Sequence, residues 1–301
     1  MQNLNLQNMD VGLVCIAVSA ILLLIIIAIA FMRKDLPPFK MVLVSGSVSQ
    51  LSAYLKSGEI DVNGRDEFGI TPLMIAAAYN KNIKIPEMLL KAGASVSAKD
   101  DEGCSALFHA IKNNAPKKTL ELLIKRGAEL NDRTNEGLTA LTVALTNKPS
   151  SDMLIWLKNH GMDINERDRN GLTPLMYAIQ ENTSVETINI LLLLGARVSD
   201  RAEFGVTPLM LAAGRNLNPY VSLTLLENGA GIDDRSAEGL TPLMFAAAFN
   251  PNPEIVDVLI DCGAKITLTD KDGNSALDYA KKNSELYETE TYWRLNNLSY
   301  E

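Results

Sequence analysis

By type, two histidines, three cysteines and one acidic loop are the residues here that could do chemistry. Nucleophilic catalysis needs a thiol within hydrogen-bond reach of a histidine that a third group orients. Cys104 and His109 are the closest such pair, but five residues apart on a helix they point in different directions. Zinc binding needs Cys and His clustered at ligand spacing, whereas Cys15, Cys104, Cys262, His109 and His160 are scattered. His109 falls in a first helix beside the core, and His160 sits before Gly161, where an imidazole suits a helix end. Asp270-Lys271-Asp272-Gly273-Asn274 resembles the opening of a calcium loop. The run Ala276-Leu277-Asp278-Tyr279-Ala280 then turns helical and supplies no terminal acid. Gly229-Ala230-Gly231 follows a helical pattern rather than a strand, so it is no dinucleotide turn. The expected function is therefore non-catalytic, with no metal, cofactor or small-molecule ligand.

One set of charges is ordered. Arg65, Lys99, Arg133, Arg167, Arg201 and Arg235 recur every 34 residues. Such a column could read anions. Asp66, Asp100, Asp132, Glu166, Asp168, Asp200 and Asp234 adjoin it, so pairing within and between turns is the expected use. The chain carries a net charge of −8 and lacks the basic face that nucleic-acid binding needs. Cys104 and Cys262 lie more than four repeats apart, too far to bridge.

The elements that hold these residues follow from one spacing. Gly69, Gly103, Gly137, Gly171, Gly205, Gly239 and Gly273 recur every 34 residues, opening phrases such as G-I-T-P-L-M and G-L-T-P-L-M. A fixed period of this size means a stack of supersecondary units. Thr71, Ser105, Thr139, Thr173, Thr207, Thr241 and Ser275 stand where a helix amino cap is needed. Pro72, Pro174, Pro208 and Pro242 follow at the first helical position, which needs no N–H. Small Ala76 and Ala77 permit close packing. A second helix follows, with an apolar face such as Ile255, Val256, Leu259 and Ile260, ending at glycines again 34 apart from Gly93 to Gly263. Pro86 interrupts the second-helix column of Leu120, Leu154, Ile188, Ser222 and Val256, which predicts a short or distorted helix beginning nearer Pro86.

The order turn, T-P-L-x-x-A-A, helix, L-L-x-x-G-A, extended finger resembles the ankyrin repeat, in a 34-residue style like that of bacterial members. The extra residue falls between the helices, as in Asn80-Lys81-Asn82 and Asn250-Pro251-Asn252-Pro253. Asn tolerates the left-handed backbone, and Asn218-Pro219 and Asn252-Pro253 supply a cap followed by a first-turn proline. The family's T-P-L-H histidine, which ties neighbouring fingers together, is replaced by Met74, Phe108, Thr142, Met176, Met210, Met244 and Asp278. That departure implies a stack held more by apolar packing. The resemblance implies an all-α solenoid of about eight helix-turn-helix units over 38–301, including two caps. Pro38-Phe39 and Gly46 to Gly58 form the first unit, and a tail with Trp293, Leu295 and Leu298 closes the last.

Before the array, Val11 to Met32 is a run of 22 uncharged residues. As a helix it would extend about 33 Å, enough for a bilayer core of about 30 Å. The reading is one transmembrane helix at 11–32 in contact with lipid, after a short extracytoplasmic tail at 1–10 and before a linker at 33–37. Arg33 and Lys34 flank one end and nothing basic the other, which places the array in the cytoplasm. A cleaved signal peptide is the alternative, since Ala28-Ile29-Ala30 has the small-x-small form of a cleavage site. The array would then be a periplasmic binding protein.

The implied function is a membrane-tethered scaffold or adaptor that binds a protein partner on the concave side of the array. On that side Phe68 and Phe204 fall on finger tips, and Tyr79, Arg215 and Phe249 at the ends of first helices. Aromatic residues and Arg are the usual interface anchors. Tyr79 and Phe249 could equally fold back over the neighbouring unit as core. A host-directed effector is a further reading.

Overall fold

The structure, a computed structural model, describes residues 38–58 and 60–300. The proposed tail at 1–10, transmembrane helix at 11–32 and linker at 33–37 lie outside those residues. Among the described residues no helix is long and apolar enough to cross a membrane. The same residues are all-helical, with no strand beyond the isolated bridges Lys99–Ser105 and Thr269–Ser275. In chain order the helices are α1 (Pro38–Ser45), α2 (Val48–Ser57), α3 (Pro72–Tyr79), α4 (Lys84–Lys91), α5 (Ala106–Lys112) and α6 (Lys117–Lys125). They continue as α7 (Ala140–Leu145), α8 (Ser151–Asn159), α9 (Pro174–Gln180), α10 (Val185–Leu193) and α11 (Pro208–Arg215). The last are α12 (Pro219–Glu227), α13 (Pro242–Phe249), α14 (Glu254–Asp261), α15 (Ala276–Ala280) and α16 (Glu290–Leu298).

The chain divides into two compact units. The first runs to Asp101 and takes in Ser105–Ala110 and Ala115–Ala128; the second holds Glu102–Cys104, Ile111–Asn114 and everything from Glu129. In the first, α1 packs on α2 and α3, and α4 on α2 and α3. Its core is Leu43, Leu51, Leu73, Ala76, Ala77, Ile85 and Leu89. In the second, the first helices α7, α9, α11, α13 and α15 pack in order as one layer. The second helices α8, α10, α12, α14 and α16 form another layer. Ala212, Ala213, Ala246 and Ala247 are fully buried where α11 meets α13, so small side chains let the two backbones approach.

The caps form where the sequence puts them. Thr71, Thr139, Thr173, Thr207, Thr241 and Ser275 each accept from the backbone N–H three residues on. Ser105 Oγ accepts from Phe108 N at 3.4 Å. The methionines in the missing-histidine column complete three of these boxes. Met74, Met210 and Met244 sulfurs accept from the N–H of Thr71, Thr207 and Thr241. Pro86 stands third in α4, inside the first turn. Its helix is one residue shorter than α6, α8, α10 and α12 and starts one residue later in the repeat, but α14, with Val256 in the proline's column, has the same length and start, so the proline is not the cause. The expected loss of a backbone bond does not follow, because first-turn N–H groups have no intrahelical partner.

Hydrogen bonding between repeats corrects the expectation of a mainly apolar stack. Asn80, Asn216 and Asn250 are buried, and each sends its Nδ2 to a carbonyl near the end of the preceding repeat's first helix. The acceptors are Leu43 O at 3.1 Å, Ile179 O at 3.0 Å and Ala213 O at 2.8 Å. Asn283 Nδ2 does the same to Ala247 O at 3.1 Å. Helix ends leave such carbonyls without intrahelical partners, so these side chains cap the neighbouring helix in trans. Their Oδ1 atoms accept from Asn82 N, Asn218 N and Asn252 N at 2.9 to 3.0 Å, which shapes the inter-helix loop. The left-handed backbone expected of this column belongs instead to Asn114, Lys148 and Asn182. Asn80, Asn216 and Asn250 are extended.

The carboxy-terminal cap also differs in detail. Thr291, Tyr292 and Leu295 are the buried residues of α16, whereas Trp293 is 51% exposed and Leu298 half-buried. Arg294 bridges Asp257 and Asp261 on α14 and fixes α16 in place. Ring contacts of Tyr292 with Tyr287 and Trp293 gather the aromatics at that end.

Candidate interaction surface

The fingers place the ordered charges. Arg167 donates to Asp200 Oδ1 at 2.7 Å and to the carbonyl of Arg201. Arg201 repeats the arrangement on Asp234 and Arg235 O, both at 2.9 Å. Arg133 pairs with Glu166, and Arg65 and Arg235 donate to the carbonyls of Lys99 and Thr269. Within each unit these arginines tie one finger to the next, and Arg133, Arg167 and Arg201 do so through the acidic neighbours of the column. Arg133, Arg167 and Arg169 line an open cleft in the second unit, but Arg133 and Arg167 are already bound to carboxylates.

The histidines are absorbed into the fold. His109 Nε2 lies 2.6 Å from Asp100 Oδ2. His160 stacks on Trp156 at 3.9 Å between ring centroids, with Nδ1 2.8 Å from Trp156 O. Tyr177 and Tyr279, in the column of His109, donate to Asp168 and Asp270 in the same way. Burial, followed by the bond to Asp168, raises the Tyr177 phenol above its ordinary value. The bond to Asp270 is the main cause that pushes Tyr279 up to about 12. Among the described residues no group of His, Cys, Asp and Glu is arranged to hold a metal ion.

The five expected anchors separate into two sets. In the first unit Phe68 is 39% exposed at its tip. Its N–H donates to Asp66 Oδ1 at 3.0 Å, and its carbonyl accepts from Asp101 N at 3.2 Å. Tyr79, at the end of α3, is half-buried, and burial raises its phenol. In the second unit Phe204 is 73% exposed and Phe249 61%. Arg215 is exposed at the end of α11, and Phe249 occupies the same position on α13, which packs beside it. Phe204 stands at the other end of α11, on the preceding finger, about 12 Å away along the helix.

Phe204 is held out by its backbone. It adopts φ 55°, the left-handed region, within a short 3₁₀ turn Glu203–Gly205. Its carbonyl accepts from Ala237 N on the next finger at 2.6 Å. A bulky residue is disfavoured there; the same tip position carries Phe68, without the positive φ, and otherwise Glu102, Glu136, Asn170, Glu238 and Asp272. Packing does not explain a phenylalanine at this site.

Phe249 leans edge-on against Phe245, with centroids 5.8 Å apart. Leu217, in the inter-helix loop, and Tyr220, in the first turn of α12, are also exposed, at 55% and 65%. The loop of Leu217 is fastened to the loop after Phe249 by Asn252 Nδ2 donating to Leu217 O at 3.0 Å. Sequence reasoning missed Leu217, Tyr220 and Phe245. The signal was available for Tyr220, whose column otherwise reads Lys84, Lys118, Asp152, Glu186 and Glu254.

A family model described as ankyrin repeats (3 copies) matches residues 40–134, 114–202, 184–270 and 209–289. No curated protein matches the chain.

Proposed function

This chain belongs to the ankyrin-repeat family, and on that premise we propose that it is a membrane-tethered scaffold that holds a protein partner against its finger tips and first-helix ends. Ankyrin repeats are protein–protein interaction modules, and no enzymatic family matches. The observation that carries the choice of face is Phe204, a large apolar side chain presented to water by a left-handed turn where its repeat equivalents, apart from Phe68, are polar. Exposed aromatic anchors that become buried on binding often account for about 2 kcal/mol each. On the same unit Phe249 with Phe245 supplies further anchors and Arg215 a charged one; Phe68 is the corresponding tip residue of the first unit.

Phe204→Ala and Phe68→Ala should each weaken capture of the native partner about thirtyfold. Both should melt within about 2 °C of the parent, because tips lie outside the packed helices. A pull-down set beside a thermal melt separates the two effects. Early melting of both variants would make the side chains structural and remove this face from consideration.

The tether is read from Val11 to Met32, with Arg33 and Lys34 directing the array to the cytoplasm. Protease added outside intact spheroplasts should leave residues 41–301 uncut. Digestion of the array from outside would reverse the topology and favour the periplasmic reading.

A further inference from the structure

The first unit differs from the rest of the array in charge and in what it exposes. Residues 36–58 contain Lys40 and Lys56 and no Asp or Glu, within a chain of net charge −8. Helix α1 buries Val42 and Leu43 and turns Met41 and Val44 outward, 49% and 41% exposed. Met41 and Val44 are three apart and so share one helix face, with Lys40 four residues before Val44 on the same side. Lys40 reaches back to Asp66 at 3.5 Å, leaving its stem beside that apolar pair. Five residues, 33–37, separate Pro38 from the apolar run that ends at Met32. Fully extended, they span at most about 17 Å.

From these three observations we infer that the outward face of α1 rests on the bilayer surface, with Met41 and Val44 in the headgroup region and Lys40 at its edge towards anionic lipid. The inference rests on the membrane-tether reading. The tether keeps this face within reach of the surface, and the basic, acid-free stretch is drawn to it. The acidic remainder of the chain is repelled from the same surface. Apolar side chains beside lysines are the combination an interfacial helix uses. The array is then held in a fixed orientation at the membrane instead of turning freely on its linker.

The test uses the full chain in phosphatidylcholine–phosphatidylglycerol vesicles. A photoreactive benzoylphenylalanine replaces Met41, Val44 or, as a reference, Leu193, which is 86% exposed on α10. All three sites are exposed, so the replacements leave the core intact. The expected result is a lipid adduct, read by mass, several-fold more abundant at 41 and 44 than at 193, in a chain that alkaline carbonate does not extract. Retention without that excess, or adducts to protein instead of lipid, overturns the inference and leaves the tether standing. Extraction of the chain by carbonate overturns the tether, and the inference with it.

Discussion

Asn250→Ala should lower the unfolding free energy of the array by about 3 kcal/mol. Asn250 is 2% exposed, and its amide serves three backbone groups at once. Nδ2 donates to Ala213 O at 2.8 Å and Asn216 O at 2.9 Å, and Oδ1 accepts from Asn252 N at 2.9 Å. Alanine leaves all three without that partner where water has little access, and an orphaned buried group costs about 1–3 kcal/mol. The reference is Asn182→Gly. Asn182 is exposed with φ 48°, a backbone glycine adopts without strain, so that change should cost less than about 1 kcal/mol. Urea unfolding of residues 38–301 followed by circular dichroism compares them. Equal losses would mean that the asparagine ladder does not hold the repeats together.

Gly103→Ala should cost about 3 kcal/mol and Gly263→Ala about 1 kcal/mol, although both replace a glycine with positive φ. The dihedrals are similar, 83° and 90°. The surroundings differ. A Cβ on Gly103 would lie 2.7 Å from Asn135 N and 2.6 Å from Asn135 Oδ1, on the next finger. Asn135 N already donates to Glu102 O at 2.9 Å, so the backbone cannot yield without breaking that bond. Around Gly263 a Cβ would meet nothing within 4 Å. The excess loss at Gly103 therefore measures how tightly fingers are pressed together. The same urea titration reads it as a difference in midpoint, and equal midpoints would show that the turn conformation alone requires glycine.

The period, the caps and the positions of both helices in each repeat were legible in the sequence because each rests on a local rule. Thr207 caps its own helix, Pro208 starts it and Gly205 turns into it, all within four residues. What joins one repeat to the next was less legible. Asn216 and Asn114 occupy the same column, yet one is extended and buried and the other left-handed and exposed. Where Lys148 is left-handed, Asn147, one position earlier, donates to Lys112 O at 2.8 Å instead, so the bridging residue shifts with the loop conformation, and no single repeat encodes that shift. At the surface, Phe204 was found because it and Phe68 break an otherwise polar column. Leu217 was not, because its column mixes Lys81, Ala115, Pro149, Thr183 and Pro251 and sets no expectation to break. Tyr79 broke its column and is nonetheless half-buried, so a broken column finds candidates without deciding their exposure. The arginine column was legible because an acid adjoins it in every repeat, although the acid that pairs with Arg167 or Arg201 is the one in the next repeat, Asp200 or Asp234.

The central claim is that a protein binds across the finger tips and first-helix ends. Site-specific photocrosslinking in native membranes tests it most directly, with the photoreactive residue placed at Phe204, Phe249 or Leu193. All three are exposed, at 73%, 61% and 86%, and all three belong to the second unit. Leu193 ends α10, in the second-helix layer. The account predicts one and the same protein joined from positions 204 and 249 and not from 193. Adducts from 193 alone would move the binding face to the second helices, and different proteins from 204 and 249 would deny that the two form one surface.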